Sequence, residues 1–151
     1  MRLLDRAKIK YESRCYEGTG AVSGQEVALA LGEDPAHVFK TLVTVAKSGK
    51  NYVFVIPAPK ELDLKKAAAC VMEKSIAMVK SKELLPLTGY IHGGCSPIGM
   101  KKFFPTFIDD SAAEFDKIYI SAGKVGYQVC LSPADLGRMI KFTFCSLTAE
   151  D

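Results

Sequence analysis

The chain has 151 residues, 48% of them hydrophobic and 25% charged, with a net charge of +3. That length predicts one domain over residues 1–151 with core enough to need no staples, and the balance excludes a low-complexity chain. So mild a charge also excludes a wholly electrostatic nucleic-acid binder, while permitting contact with an acidic partner.

The N-terminal "MRLLDRAKIKYESRCYE" breaks its apolar residues with Arg2, Asp5, Arg6, Lys8 and Lys10. Neither a secretion signal nor a membrane span is expected, so the chain reads as cytoplasmic, with no membrane partner. Leu3, Leu4 and Ala7 suggest a short helix, after which Ile9, Tyr11, Ser13 and Cys15 alternate as a strand does. "SGQE" at Ser23 to Glu26 has capping-box spacing ahead of Val27, Ala30 and Leu31, and Gly32 is the stop. "DPAHV" repeats the start signal, with Asp34 as N-cap and Pro35 at the first helical position.

Phe39 to Ala46 and Tyr52 to Ile56 are β-rich runs around a Ser-Gly turn, which predicts a hairpin ended by Pro57 and Pro59. "LDLKKAAACVME" is the clearest helix: Asp63 caps it, and Leu64, Ala67, Ala68, Val71 and Met72 share one face, with Lys65 and Lys66 opposite. "SIAMV" predicts a short strand and "SKELLPLT" a helical turn interrupted by Pro86. Tyr90 and Ile91 enter the next loop in strand-like fashion. "TFID", "KIYISAG" and "YQVCLS" predict three more strands. "SPADLGRMI" is a helix capped by Ser132 with Pro133 first and Asp135 third. The tail is ambiguous, since Ile140, Phe142 and Phe144 alternate yet the helix could run on. Hairpins mixed with crossovers, and no strict βαβ alternation, predict an α+β fold. Its mixed, largely antiparallel sheet is curled into a barrel with flanking helices.

One loop concentrates chemistry: "GYIHGGCSPIGMKK", Gly89 to Lys102, holds four glycines, His92, Cys95, Lys101 and Lys102. A Cys-His nucleophile needs an oriented base within hydrogen-bond reach, and nothing in this loop makes His92 face Cys95. The other histidine, His37, lies in an unrelated segment. No set of three or four metal ligands assembles, and the five scattered cysteines form no C-x-x-C pair, so no metal is expected. Gly93 and Gly94 allow bare main-chain amides to approach a ligand as an oxyanion hole, or they form a tight turn between strands. Lys40, inside "VFKTLVTV", is either an ammonium set into a pocket or an edge-strand lysine reaching water. The pairs Lys65-Lys66 and Lys101-Lys102 suit a phosphate backbone if they share a face, and are otherwise solvated surface.

Taken together, "VFKTLV", "LDLKKAAA", "GYIHGGCSPIGMKK", "PTFID" and "IYISAGKVGYQVCLSPADL" resemble the YbaK/EbsC family of deacylases acting on mischarged Cys-tRNA(Pro), from about Leu3 to Leu136. The resemblance implies the YbaK/prolyl-tRNA synthetase-associated fold and a freestanding editing domain that hydrolyses the ester of a wrong amino acid on tRNA(Pro). It implies no cofactor, aminoacyl-tRNA as partner and a place beside prolyl-tRNA synthetase; monomer and weak dimer both stay open. By the same resemblance Lys40, Gly93 and Gly94 are the catalytic set. Tyr16, Thr41, Ser96, Ser121 and Gln128 line the substrate pocket; the basic pairs Lys65-Lys66 and Lys101-Lys102 are the candidate tRNA contacts. Gln128 stands where some relatives carry Asp, and Val125 where many carry a basic residue. Rival readings are a relative clearing Ala-tRNA(Pro) or other small amino acids, and a non-catalytic tRNA- or synthetase-binding regulator.

Overall fold

The computed structural model describes residues 12–15, 37–90, 96–98, 100, 104–121 and 127–149. The helices expected before His37, Ile91–Cys95 with Gly93 and Gly94, Gly99, Tyr16, Lys101, Lys102 and Val125 lie outside them.

Strand β1 spans Glu12–Cys15, the described part of the first expected strand. The predicted hairpin is present as β2, Phe39–Ala46, and β3, Asn51–Pro57, paired antiparallel. Its turn closes with the Gly49 N–H on the Ala46 carbonyl at 2.8 Å, and Gly49 supplies the positive φ of 88° that a side chain would oppose. Side chains alternate between two apolar clusters. Phe39, Val43, Val53 and Val55 join one, and Ala46, Tyr52, Phe54 and Ile56 join the other. Strand β3, covered on both faces, accordingly carries the unbroken apolar run Tyr52–Ile56.

Helix α1, Leu64–Val71, starts as expected: the Asp63 carboxylate accepts from the backbone N–H groups of Lys65 and Lys66 at 2.9 and 3.1 Å. It ends one residue sooner than its apolar spacing suggests. Met72 is a left-handed cap with φ 59°, 87% exposed, and does not join the buried face. Strand β4 is Ile76–Met78. Helix α2, Ser81–Thr88, continues through Pro86 instead of breaking there, and Gly89 caps it at φ 87°. The proline has no N–H to offer the turn before it. The Thr88 hydroxyl donates to the Leu84 carbonyl at 2.8 Å in the same turn.

Strands β5, Thr106–Asp109, β6, Ile118–Ser121, and β7, Tyr127–Leu131, match the three predicted ones. An unanticipated 3₁₀ turn, Asp110–Glu114, follows β5. Helix α3, Pro133–Met139, opens on the Ser132 hydroxyl accepting from the Asp135 N–H at 3.1 Å. Ile140 leaves the helix in an extended conformation, which resolves the ambiguous tail into strand β8, Phe142–Cys145.

Among the described residues the strands form two sheets, ordered β4-β2-β3-β5-β8 and β1-β7-β6. β3–β5 and β5–β8 are parallel and the other pairings antiparallel, so the sheet is mixed and largely antiparallel as expected. It does not close into the expected barrel: a single parallel bridge, Val38 to Tyr119, joins the sheets. The main core lies between them. Phe39, Val53, Val55 and Ile108 meet Ile118, Ile120, Val129 and Leu131, with Leu84 of α2 and Leu136 of α3 at its margins. On the other face of the larger sheet, Ala67 and Ala68 of α1 pack near Phe54 and Ile56.

Candidate active site

Three of the expected site residues, Lys40, Ser121 and Gln128, lie near the junction of the two sheets. Val38, Tyr119 and Cys130, with Ala58 against them, form a small buried apolar cluster there. They are register neighbours: Val38 bridges Tyr119, and Tyr119 opposes Cys130. Two residues along each strand stand Lys40 on β2, Ser121 on β6 and Gln128 on β7, the last two directly opposite each other. A strand repeats its facing every second residue, so this polar row lies on the same side as the apolar cluster. Arg14 of β1 occupies the next register position, opposite Gln128.

The Val38–Tyr119 bridge brings the start of β2 against β6, and Gln128 stands on β7, the next strand along. Lys40 is half-buried, and no carboxylate pairs with it among the described residues. Gln128 is 6% exposed, yet among the described residues its Oε1 accepts no hydrogen bond. An unpaired acceptor at that depth costs about 1–3 kcal/mol. A buried polar group left so calls for a partner: water, an ion or a ligand.

The other expected pocket residues are not all in that row. Thr41 follows Lys40 and so faces the main core beside Phe39 and Val43. Its hydroxyl oxygen is also buried without a partner. Ser96 is 3% exposed and its hydroxyl accepts from the Ile98 N–H at 3.2 Å, so it shapes the loop's exit. The entrance is tied to that exit, because the Tyr90 hydroxyl donates to the Ile98 carbonyl and the Tyr90 N–H donates to the Thr88 hydroxyl at 3.0 Å. Tyr90 itself belongs to no strand. The loop carrying Gly93 and Gly94 is thereby fastened at both described ends.

Lys65 is exposed, but the Lys66 ammonium donates to the Thr148 carbonyl at 2.9 Å and helps hold the C-terminal segment. The two neighbouring lysines thus differ in what they can offer a phosphate. The His37 ring packs on Phe115 with centroids 4.2 Å apart. Burial and the neighbouring Cys145 push the Cys70 thiol up to about 12, which keeps it protonated and a poor nucleophile. Among the described residues, no three His, Cys, Asp or Glu side chains gather as a metal site would require. Nothing in the sequence marks Arg14, since only strand register brings its backbone opposite Gln128.

Comparison with known proteins agrees with this architecture. Residues 19–139 match the family described as the aminoacyl-tRNA editing domain. The chain is 40% identical to EbsC of Enterococcus faecalis, a candidate Cys-tRNA(Pro)/Cys-tRNA(Cys) deacylase, over 100% of this chain and 93% of that protein. Among solved structures, the hypothetical protein APE2540 superposes with a TM-score of 0.88 at 20% identity, covering 98% of this chain and 97% of that one. A candidate trans-editing enzyme for prolyl tRNA synthetase gives 0.87 at 21% identity, covering 99% and 94%. At such identities the structures speak for the fold. The family match over most of the chain, together with the full-length relative, establishes the kinship: this chain belongs to the aminoacyl-tRNA editing domain family.

Proposed function

We propose that the protein is a trans-editing aminoacyl-tRNA deacylase that clears Cys-tRNA(Pro), working as one editing domain over residues 1–151. The observation that carries this reading is the row of Lys40, Ser121 and Gln128 at the sheet junction of a chain of this family. The full-length relative's name gives the substrate class. A synthetic site for proline gains only about 1–3 kcal/mol from a few atoms of difference, so a second site that destroys the error has a purpose. Aminoacyl-tRNA is the partner, with prolyl-tRNA synthetase as its source in the cytoplasm.

None of the described side chains in the row is an activated nucleophile, so the substrate supplies its own. The cysteinyl thiol attacks its ester carbonyl: a C–S bond forms, the ester C–O bond breaks, and the thiol proton passes to the departing ribose oxygen. Water then opens the cyclic thioester to cysteine. Attack within one molecule recovers a large part of the barrier as proximity. Lys40 and the main-chain N–H groups of Gly93 and Gly94 stabilise the oxyanion that develops, and Cys95 stands by.

Deacylation of Cys-tRNA(Pro) by wild type, Lys40→Ala and Cys95→Ala tests this. Losing one oxyanion stabiliser lowers kcat about 10²–10³-fold, so Lys40→Ala should fall by that much while Cys95→Ala keeps most of the rate. The reverse pattern overturns the assignment. Seryl- and alanyl-tRNA(Pro), run in the same assay, should react far more slowly for want of the thiol. Equal rates would replace self-attack with an activated water and widen the substrate range to small amino acids.

A further inference from the structure

Gln128 is 6% exposed and its Oε1 has no partner among the described residues, on a strand whose next residue, Val129, is packed in the main core. Its side chain therefore leaves the core and lies beside Ser121, its direct cross-strand neighbour, on the side of the junction that Lys40 shares. The described polar groups of that row differ in kind. The Lys40 ammonium can only donate, whereas the Gln128 carbonyl oxygen can only accept. A carboxyl ester of an amino acid presents the complementary pair: a carbonyl oxygen that needs donors, and an α-amino group that needs an acceptor one carbon away.

We propose that Gln128 is a specificity residue whose Oε1 accepts a hydrogen bond from the α-amino group of the aminoacyl ester, orienting its carbonyl toward Lys40. This rests on the deacylase reading above and adds to it the group by which a true aminoacyl ester is told from other esters of the same tRNA end. The unpaired oxygen of the free protein is then a binding group whose partner arrives with substrate. A site built to bond a polar group rejects an analogue lacking it, because its own polar atom stays unpaired.

The test compares cysteinyl-tRNA(Pro) with 3-mercaptopropionyl-tRNA(Pro), which keeps the thiol and the ester but has no amine. Wild type should cleave the deamino ester with kcat/KM lowered by at least about tenfold, the value of one such bond. Gln128→Met, of similar volume without the acceptor, should process the two esters alike. It should also melt at a higher temperature, since the buried orphan is gone. Gln128→Glu, which keeps an acceptor, should discriminate as wild type does. Equal handling of the two esters by wild type, or undiminished discrimination by Gln128→Met, overturns the inference while leaving the deacylase reading intact. No cleavage of either ester by wild type overturns both.

Discussion

Asp109 shows how much one side chain can hold. It is 6% exposed at the end of β5. Its Oδ1 accepts from the Leu147 N–H at 3.0 Å, and its Oδ2 accepts from the Ser111 N–H at 3.2 Å and the Ser111 hydroxyl at 2.6 Å. One carboxylate thus starts the 3₁₀ turn and anchors the C-terminal segment beside it. Asp109→Ala leaves the buried Leu147 N–H without an acceptor. Hydrogen bonds to charged groups are worth about 1.5–3 kcal/mol each, so stability should fall by about 3 kcal/mol. Urea unfolding should show a lower midpoint at unchanged slope, and a shift under about 1 kcal/mol would remove this role. In the sequence Asp109 is only the last letter of a strand-like "TFID", because its partner Leu147 lies far along the chain. Gln128 is the opposite case, a buried group whose Oε1 finds no partner among the described residues.

At the scale of elements, the β2–β3 hairpin and the end of α1 are tied through Glu73. Its carboxylate accepts from the Ser48 hydroxyl and from the Tyr52 hydroxyl, both at 2.8 Å. Donation from Tyr52, then from Ser48, holds the Glu73 carboxyl below its ordinary value of 4.5. The same bond, with burial, raises the Tyr52 hydroxyl above its ordinary 10.0. A carboxyl depressed in the folded state adds stability above its unfolded value, and loses it as pH falls through the folded one. A raised phenol adds stability below its unfolded value and loses it as pH climbs through the folded one. The tie is therefore whole between about pH 4.5 and 10. Thermal midpoints of wild type and Glu73→Gln should be separated at pH 7 and converge as the pH is lowered through the acid limb. Parallel curves would show that the tie carries no linkage. Sequence periodicity marked both elements and the Asp63 cap, but not this link, since Glu73 lies just past the helix whose spacing was read.

For the whole molecule, the core between the two sheets fixes where the polar row stands. Ile120, fully buried between Tyr119 and Ser121 of β6, packs into that core while its two neighbours face the site. Ile120→Ala removes three buried carbons and should cost about 2–5 kcal/mol, the range for such truncations, read as a drop in the denaturation midpoint. A cost near zero would mean that the sheets are not held by this contact.

What the letters determined by themselves was local. Asp63 and Ser132 cap their helices, Gly49 turns the hairpin, and the motifs from "VFKTLV" to "LSPADL" announced the family. Caps, turns and periodic faces involve residues a few positions apart, so their physics is written in short stretches. The tertiary structure decided the rest. It made the tail a strand, because β5 offers Phe142–Cys145 a parallel partner. It took Lys66 from the solvated set by giving its ammonium the Thr148 carbonyl. Above all it set Lys40 beside Ser121 and Gln128. That meeting depends on strand register and on how two sheets bury a common core, and neither is a property of any one segment.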